Sequence, residues 1–204
     1  MLNLLIAGGW LMLPLLICSI VAVAIIIERS WQLRYSKVVP NGLNESIIYD
    51  LKQKSLTHDK LLAIQQSSAL GSMFSVAMNN IKKERPVILQ ELEESGRVTM
   101  HNLERNLSAL GIIATISPLL GLLGTVVGMI QVFSVITEQG VNNANSMASG
   151  IATALITTAV GLIIAIPSLA FYRSFQRRLD EIAHRLQYES IKLVDNVKSM
   201  LKQQ

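Results

Sequence analysis

Three long apolar stretches alternate with polar segments along this chain. The first stretch covers residues 4–27, the second Leu107–Thr137 and the third about 147–172. About 20 apolar residues are enough for a helix to cross the hydrocarbon core of a bilayer, so each stretch is long enough to span it. The pattern therefore predicts three transmembrane helices in an all-α membrane protein.

The polar segments divide the chain into six parts. The segment after the first span is long and rich in charge, whereas the loop between the second and third spans is short and contains no Lys or Arg. In order, the parts are the first span (1–31), a charge-rich segment (32–105), the second span (106–137), a short loop (138–146), the third span (147–172) and a C-terminal tail (173–204).

The distribution of positive charge predicts the orientation of the spans. All 18 Lys and Arg lie in two segments, eleven of them in 29–105 and seven in 173–204. Cytoplasmic segments of membrane proteins carry such an excess. We therefore expect the N-terminus and the 138–146 loop to face outward, away from the cytoplasm, and both basic segments to be cytoplasmic. The net charge of +4 could suggest a nucleic-acid partner, but the location of the Lys and Arg residues is explained by membrane orientation instead.

The second span is predicted to be the end of a much longer helix. Pro86 suits the first turn of a helix, and no strong helix breaker lies between it and the span. Gly96 and Gly111 are the only weak points. The pattern therefore predicts one helix from about 86 to about 136, roughly 75 Å long at 1.5 Å per residue, with about half of it outside the membrane.

The C-terminal tail is predicted to continue the third span as a helix into the cytoplasm. Its apolar residues recur at a helical, nearly heptad spacing that is interrupted near Glu189. Weaker helical patterns around 44–54, 58–66 and 70–83, with Thr57 as an N-cap, predict a small helical cytoplasmic part. The apolar positions of the tail are Phe175, Leu179, Ile182, Leu186, Val194, Val197 and Leu201.

Small and hydroxyl-bearing residues share one sector of each of the last two spans. In membranes, small residues mark the places where helices approach closely, and hydroxyls lie where they meet something other than lipid. In the second span these residues are Ser117, Gly121 and Thr125, at intervals of four, with Gly124 and Gly128 beside them. In the third span they are Gly150, Ala154, Thr158, Gly161 and Ala165, with Ser149, Thr153 and Thr157 on a neighbouring sector.

No enzyme motif is present in the sequence. It contains no phosphate-binding GxxxxGK[ST], no HExxH and no cluster of Cys and His with metal-ligand spacing. The lone Cys18 lies in an apolar run, and the three histidines are scattered through the charge-rich segments. We therefore expect a protein that is not an enzyme and that binds no cofactor or metal.

The second and third spans contain no ionisable side chain, and this limits how they could move an ion. Proton pumps and relays place Asp, Glu or His inside the membrane, whereas Ser and Thr can hydrogen-bond water or a cation but cannot titrate near neutral pH. A proton-carrying carboxylate would therefore have to come from a transmembrane helix of a second protein. The alternative is a passive scaffold, in which the hydroxyls bond only to carbonyls of their own or neighbouring helices.

The spans resemble those of the MotA/TolQ/ExbB proton channel family, with the ExbB branch most similar. The resemblance rests on GGWLMLPLLICSIVAVAIIIERSWQLR, SALGIIATISPLLGLLGTVVGMIQVF and GIATALITTAVGLIIAIPSLAFYR. It implies a bacterial inner-membrane protein that forms a homo-oligomeric ring, a pentamer in ExbB-like members. The ring would enclose an ExbD-like single-span protein whose transmembrane Asp carries the proton, and would drive a TonB-like protein. The alternative is that the chain is a TolQ-like subunit of the Tol-Pal envelope system.

The same resemblance assigns roles to particular residues. The pore threonine of the family's GTVxG motif falls on Thr125, and the pore threonine ahead of its GLxxAIP motif falls on Thr158. One position departs from the family: where many members read GIAEAL, this chain reads GIATAL, with Thr153 in place of the glutamate. The ion is therefore open between H⁺ and Na⁺. The expected ion-path residues are Thr125, Thr158, Thr153 and Ser117, and the expected helix-packing residues are Gly121, Gly124, Gly128, Ala154 and Gly161.

Overall fold

The described part of the molecule is helical. The computed structural model describes residues 9–34, 38–40, 42–53, 55, 57–139 and 144–201, and in those residues it contains helices and no strand. This agrees with the predicted all-α fold. The helices are α1 (Met12–Gln32), α2 (Leu43–Lys52), α3 (His58–Ser67), α4 (Ala69–Asn79), α5 (Arg85–Glu104), α6 (Leu107–Gln139) and α7 (Ala144–Leu201).

The chain folds as two compact units. The span unit comprises the described residues up to Glu28 together with Asn106–Ser174. The charged unit comprises the described residues of Arg29–Arg105 and of the chain from Phe175 onward. The chain therefore passes between the units at three points.

Three helices are long and apolar enough to cross a membrane, as predicted. These segments are Met12–Gln32, Leu107–Thr137 and Met147–Met200. Only 22–33% of their most apolar windows is buried within this single chain. The remaining apolar surface therefore has to be covered by lipid or by other protein chains.

The predicted first span is interrupted at residues 9–11, which are not helical in the structure. Residues 4–8 lie outside the described residues, and α1 begins at Met12 after a turn in which the Met12 N–H donates to Gly9 O at 3.1 Å. Gly9 has a φ of +67°, a left-handed conformation that a helix does not continue. Pro14 consequently lies in the first turn of α1, where its missing N–H leaves no helix bond unmade.

The prediction of one helix from about 86 to about 136 was wrong. Helix α5 begins at Arg85, with Pro86 in its first turn as expected, but it ends at Glu104, and α6 begins at Leu107. Asn106 lies in the interruption, and its side-chain amide donates to the two carboxylate oxygens of Glu28 at 3.1 and 3.0 Å. Asn favours helix ends because its side chain competes with the backbone for hydrogen bonds.

A buried arginine satisfies the C-terminal end of α5. The guanidinium of Arg29, which is only 2% exposed, donates to Leu103 O at 2.7 Å. This carbonyl is one of the last four of α5, which have no partner within the helix. A cation is also favourable at this end of a helix because the helix dipole is negative there.

The predicted continuation of the third span is present, because α7 is one helix of 58 residues. It begins at Ala144, slightly before the predicted start, and residues 140–143 of the predicted loop lie outside the described residues. The pattern interruption near Glu189 does not break the helix. Instead, the side-chain amide of Asn44 in α2 donates to the Glu189 carboxylate and to Glu189 O, the latter at 3.2 Å.

The charged unit has its own apolar core, built on the tail of α7. The weak helical patterns of residues 44–83 correspond to α2, α3 and α4. Thr57 precedes α3 as the N-cap residue but makes no capping hydrogen bond, whereas Ser68 Oγ accepts from the Gly71 N–H at 3.0 Å and caps α4. The core side chains with the least exposure are Phe74, Phe175, Ile47, Leu70, Ile88, Leu179, Ile182, Leu193 and Val194.

Two polar contacts attach the C-terminal end of α7 to the residues around the start of α5. Arg85 donates from Nε and Nη2 to the two carboxylate oxygens of Asp195 at 2.8 and 3.1 Å. Lys198 Nζ donates to Lys83 O at 2.5 Å. The hydrogen bonds from Arg85, together with its charge, hold the pKa of Asp195 below its usual value.

The Arg85–Asp195 contact should make the end of α7 sensitive to acid. Because the pKa of Asp195 is lower in the folded than in the unfolded chain, the contact stabilises fully above the unfolded value of about 3.9 and is lost as pH falls through the folded value. Asp195→Asn should lower the protection of the last turns of α7 against hydrogen exchange at neutral pH, relative to the intrinsic exchange rate, and remove the loss of that protection on acidification. Asp180→Asn, at an exposed carboxylate of the same helix, is the control and should exchange like wild type.

Candidate functional site

Helices α6 and α7 approach each other along a line of small residues. A Cβ added to Gly128 would lie 2.8 Å from both Ala154 Cβ and Gly150 O. One added to Gly161 would lie 2.6 Å from Ser117 O. Side chains larger than hydrogen do not fit at these positions, so the glycines permit the close approach. The expected helix-packing residues Gly121, Gly124, Gly128, Ala154 and Gly161 all lie along this contact.

Thr157 fills the space that Gly124 leaves. Thr157 is fully buried, and a Cβ added to Gly124 would overlap its side chain. Its hydroxyl donates within α7, to Ala154 O at 2.9 Å and Thr153 O at 3.0 Å. The sequence pattern placed Thr157 in the polar sector but did not identify this pairing, because a single sequence gives no register between two helices.

Thr158 joins the two helices by a hydrogen bond. Its Oγ1 donates to Gly121 O at 2.8 Å, and its side chain is half-buried. A Cβ on Gly121 would lie 3.0 Å from Thr158 Cα, so the absence of a side chain at Gly121 brings the carbonyl within reach. The hydroxyl oxygen keeps lone pairs that can accept from a water or bind a cation.

Thr125 and Ser117 lie on α6 in different surroundings. Thr125 is half-buried, and its hydroxyl donates to Leu122 O in the same helix at 2.7 Å. Ser117 is fully buried, and its Oγ has no hydrogen-bond partner among the described residues. Ser117 thus differs from Thr115, Thr125, Ser134 and Thr137 of α6, which all donate to carbonyls one turn earlier.

Thr153 lies on α7 on the other side of the contact with α6. Its hydroxyl donates to Ser149 O at 3.0 Å, and its Cγ2 is 4.0 Å from the Cβ position of Gly9, just before α1. Five residues separate Thr153 from Thr158, which on an α-helix is about 140° of rotation. The two threonines therefore occupy opposite flanks of α7, which we call the Gly9 flank and the Thr158 flank.

Thr125 falls on the same flank as Thr158. The contacts of Ser117 with Gly161 and of Gly128 with Ala154 show that α6 and α7 are antiparallel. Thr125 lies about 60° from the centre of the packed face of α6, and Thr158 about 65° from that of α7, by the 100° step of the helix. Both rotations have the same sense along the chain. In an antiparallel pair, rotations of the same sense bring the two side chains to the same side of the helix pair. Thr125 and Thr158 thus share the Thr158 flank, whereas Ser117 is buried in the contact.

The two spans offer hydrogen-bonding groups but no charge. Neither Leu107–Thr137 nor Met147–Tyr172 contains Asp, Glu, Lys, Arg or His. The described residues contain no group of His, Cys, Asp and Glu that could hold a metal ion. The flank can therefore hydrogen-bond water or an ion, but these two spans offer no side chain of their own that titrates near neutral pH. The ion-path roles of Thr125, Thr158, Thr153 and Ser117 remain predictions.

The chain matches known membrane transport proteins over most of its length. A family model described as the MotA/TolQ/ExbB proton channel family matches residues 65–188. Similar proteins include ExbB-like 3 of Synechocystis sp., named as a biopolymer transport protein, with 32% identity over 83% of this chain and 82% of that protein. The Vibrio cholerae biopolymer transport protein exbB1 is 30% identical over 90% of this chain and 84% of its own. The Tol-Pal system protein TolQ of Haemophilus influenzae is 28% identical over 80% and 77%.

The α6–α7 contact should tolerate no side chain at Gly124. In Gly124→Ala the new Cβ overlaps Thr157, and overpacking of this kind costs about 1–3 kcal/mol, which outweighs the gain of up to about 1 kcal/mol in helix propensity. Thermal unfolding in detergent should therefore show a lower midpoint.

Gly96→Ala in α5 is the matched comparison. There the nearest atom to a new Cβ is the flexible end of Met73, Cε at 3.3 Å. The propensity gain should then dominate, and the midpoint should stay unchanged or rise. Equal shifts in the two variants would contradict the close contact at Gly124.

Proposed function

Because this chain belongs to the MotA/TolQ/ExbB proton channel family, we propose that it is the ring-forming subunit of a proton channel in the bacterial inner membrane. The observation that carries the proposal is the pair Thr125 and Thr158. Both hydroxyls lie on one flank of the α6–α7 pair, in two spans without an ionisable side chain. In this proposal the Thr158 flank forms the wall of the ion path.

The proton-carrying group comes from a partner protein. Hydroxyls can donate and accept hydrogen bonds, so they can hold a water chain or a protonated carboxyl group, but they do not take up the proton themselves. An ExbD-like single-span protein with a transmembrane Asp fits this requirement. Its carboxylate would bind and release the proton beside Thr125 and Thr158, and the change in its charge would drive relative movement of the ring and the partner.

The exposed apolar surface of the spans supports assembly into a ring. Most of each apolar window is exposed in the single chain, and part of that surface is expected to contact further copies. We propose a homo-oligomer, a pentamer as in ExbB-like members, with the N-terminus in the periplasm. The placement of all Lys and Arg in 29–105 and 173–204 supports a cytoplasmic location for the charged unit and for the tail of α7.

The proposed client is a TonB-like protein that uses the movement to power import across the outer membrane. A Tol-Pal role is the second candidate, because the similarity to TolQ, at 28% identity, nearly equals the similarity to exbB1 at 30%. Pull-down of the partner with this chain distinguishes them. An ExbD-like partner with a TonB-like protein supports the first, and a TolR-like partner with a TolA-like protein supports the second.

Removing the hydroxyls of Thr125 and Thr158 should impair proton movement. Thr→Val keeps the shape of the side chain but removes a hydrogen bond worth about 1–1.5 kcal/mol, which corresponds to roughly a tenfold slower step. Proton flux through proteoliposomes that contain the chain with its partner should fall by about this factor in each variant, and by more in the double variant.

Thr115→Val is the matched control for these variants. Thr115 is an exposed threonine of the same helix whose hydroxyl bonds to Gly111 O and Ile112 O, outside the contact with α7. Flux in this variant should equal that of wild type. Wild-type flux in both Thr125→Val and Thr158→Val, with complexes of normal mass, would reject the proposed wall and favour the passive scaffold.

A further inference from the structure

The exposed arginines of the charged unit fall into two groups. Those distant from the three points where the chain passes between the units have protein partners: Arg85 pairs with Asp195, and Arg97 lies 3.3 Å from Glu94 and 3.8 Å from Glu93. The arginines next to these three crossing points are exposed and make no hydrogen bond or ion pair with the described residues. They are Arg34, Arg105, Arg177 and Arg178.

The lack of partners is not caused by a lack of nearby acids. Arg177 has Asp180 and Glu181 three and four residues later on α7, at the spacing where ion pairs form on a helix. Among the described residues, Arg177 makes no ion pair or hydrogen bond with either of them. These guanidinium groups are therefore available to a ligand outside the chain.

The residue type at these positions also indicates the class of ligand. Within the described residues, the exposed lysines without a partner lie elsewhere in the charged unit, and the exposed unpaired residues next to the three crossing points are arginines. These lysines are Lys52, Lys82 and Lys192. A guanidinium binds the oxygens of a phosphate through two parallel hydrogen bonds, which an ammonium group cannot do. The choice of arginine thus favours a phosphate-bearing ligand over a general requirement for positive charge.

The position along the chain identifies the source of the phosphate. Arg34 lies two residues after the end of α1, Arg105 directly after α5 and two residues before α6, and Arg177 and Arg178 a few residues after the third apolar stretch. The hydrogen bond of Arg29 to Leu103 O brings the first two of these places together within the charged unit. Residues at the ends of spans lie at the depth of lipid head groups.

We propose that Arg34, Arg105, Arg177 and Arg178 form a binding surface for the phosphodiester head groups of anionic phospholipids. Arg29 does not take part, because it is buried and bound to Leu103 O. The bound head groups would lie where the charged unit is joined to the spans along the chain. This proposal does not depend on proton conduction, since it requires only that the three apolar helices span the membrane.

The test compares two triple variants of the full-length protein purified in detergent. Arg34→Gln, Arg105→Gln and Arg177→Gln remove three charges from the proposed surface, and Lys52→Gln, Lys82→Gln and Lys192→Gln remove three unpaired charges elsewhere. Native mass spectrometry measures the affinity for phosphatidylglycerol and for phosphatidylcholine. The arginine triple should lose about fivefold in phosphatidylglycerol affinity per arginine, with phosphatidylcholine unchanged, and the lysine triple should match wild type.

Further arms separate the possible ligands. The corresponding Arg→Lys triple keeps the charge and should fall between wild type and the Gln triple, because it loses the paired hydrogen bonds. Circular dichroism checks folding, and single Arg105→Gln and Arg177→Gln variants replace the triple if its helix content falls. Inorganic phosphate as competitor should not displace phosphatidylglycerol at equal concentration.

Three results would overturn the proposal. Equal losses in the arginine and lysine triples would show only a general attraction between charges. Displacement by inorganic phosphate would show a site for a soluble phosphate. Unchanged phosphatidylglycerol binding in the arginine triple variant would exclude the lipid surface. If that variant instead lost an acidic protein partner, the arginines would be a protein-binding site and the proposal would also be rejected.

Discussion

The close approach of α6 and α7 is the constraint on which the arrangement of the candidate site depends. It exists because Gly121, Gly124 and Gly128 present no side chain to α7, so that Thr157 occupies the space next to Gly124. Only at this separation does the Thr158 hydroxyl reach Gly121 O. The rotation of the two helices about their axes is thereby fixed, and with it the flank on which their other hydroxyls lie.

In a membrane, the hydroxyls of this helix pair need hydrogen-bond partners within the protein more than they would in water. A hydroxyl in the hydrocarbon core has no water to bond to, so a wall that is to meet an ion or a partner must first satisfy its own polar groups. Threonines achieve this by donating to a carbonyl one turn earlier or across the contact, which leaves only the oxygen lone pairs free. The flank is thus polar enough to interact with a proton carrier, yet has no charge that would compete with it for the proton.

The sequence predicted the elements more completely than their ends and registers. Apolar length was sufficient for the three spans, and the spacing from Phe175 onward was sufficient for the helical tail, because both depend only on periodicity along one segment. The break at Asn106 and the interruption at Gly9 within the predicted first span were missed. Each depends on a single residue: the amide of Asn106, which bonds to Glu28, and Gly9, which has a φ of +67°. The periodicity of apolar residues does not reveal such effects. The pairing of Gly124 with Thr157 could not be predicted, since it depends on the alignment of two helices.

The contact between Asn44 and Glu189 has a consequence for the alignment of α2 along α7. Apolar side chains with a regular helical repeat pack almost equally well after a shift of one turn, about 5.4 Å, so an apolar contact alone leaves axial sliding inexpensive. Asn44 is only 6% exposed, and a shift would leave its amide group without the Glu189 acceptors in an apolar contact. One polar residue in the apolar repeat therefore selects a single register, in the way that a buried Asn selects the register of a coiled coil.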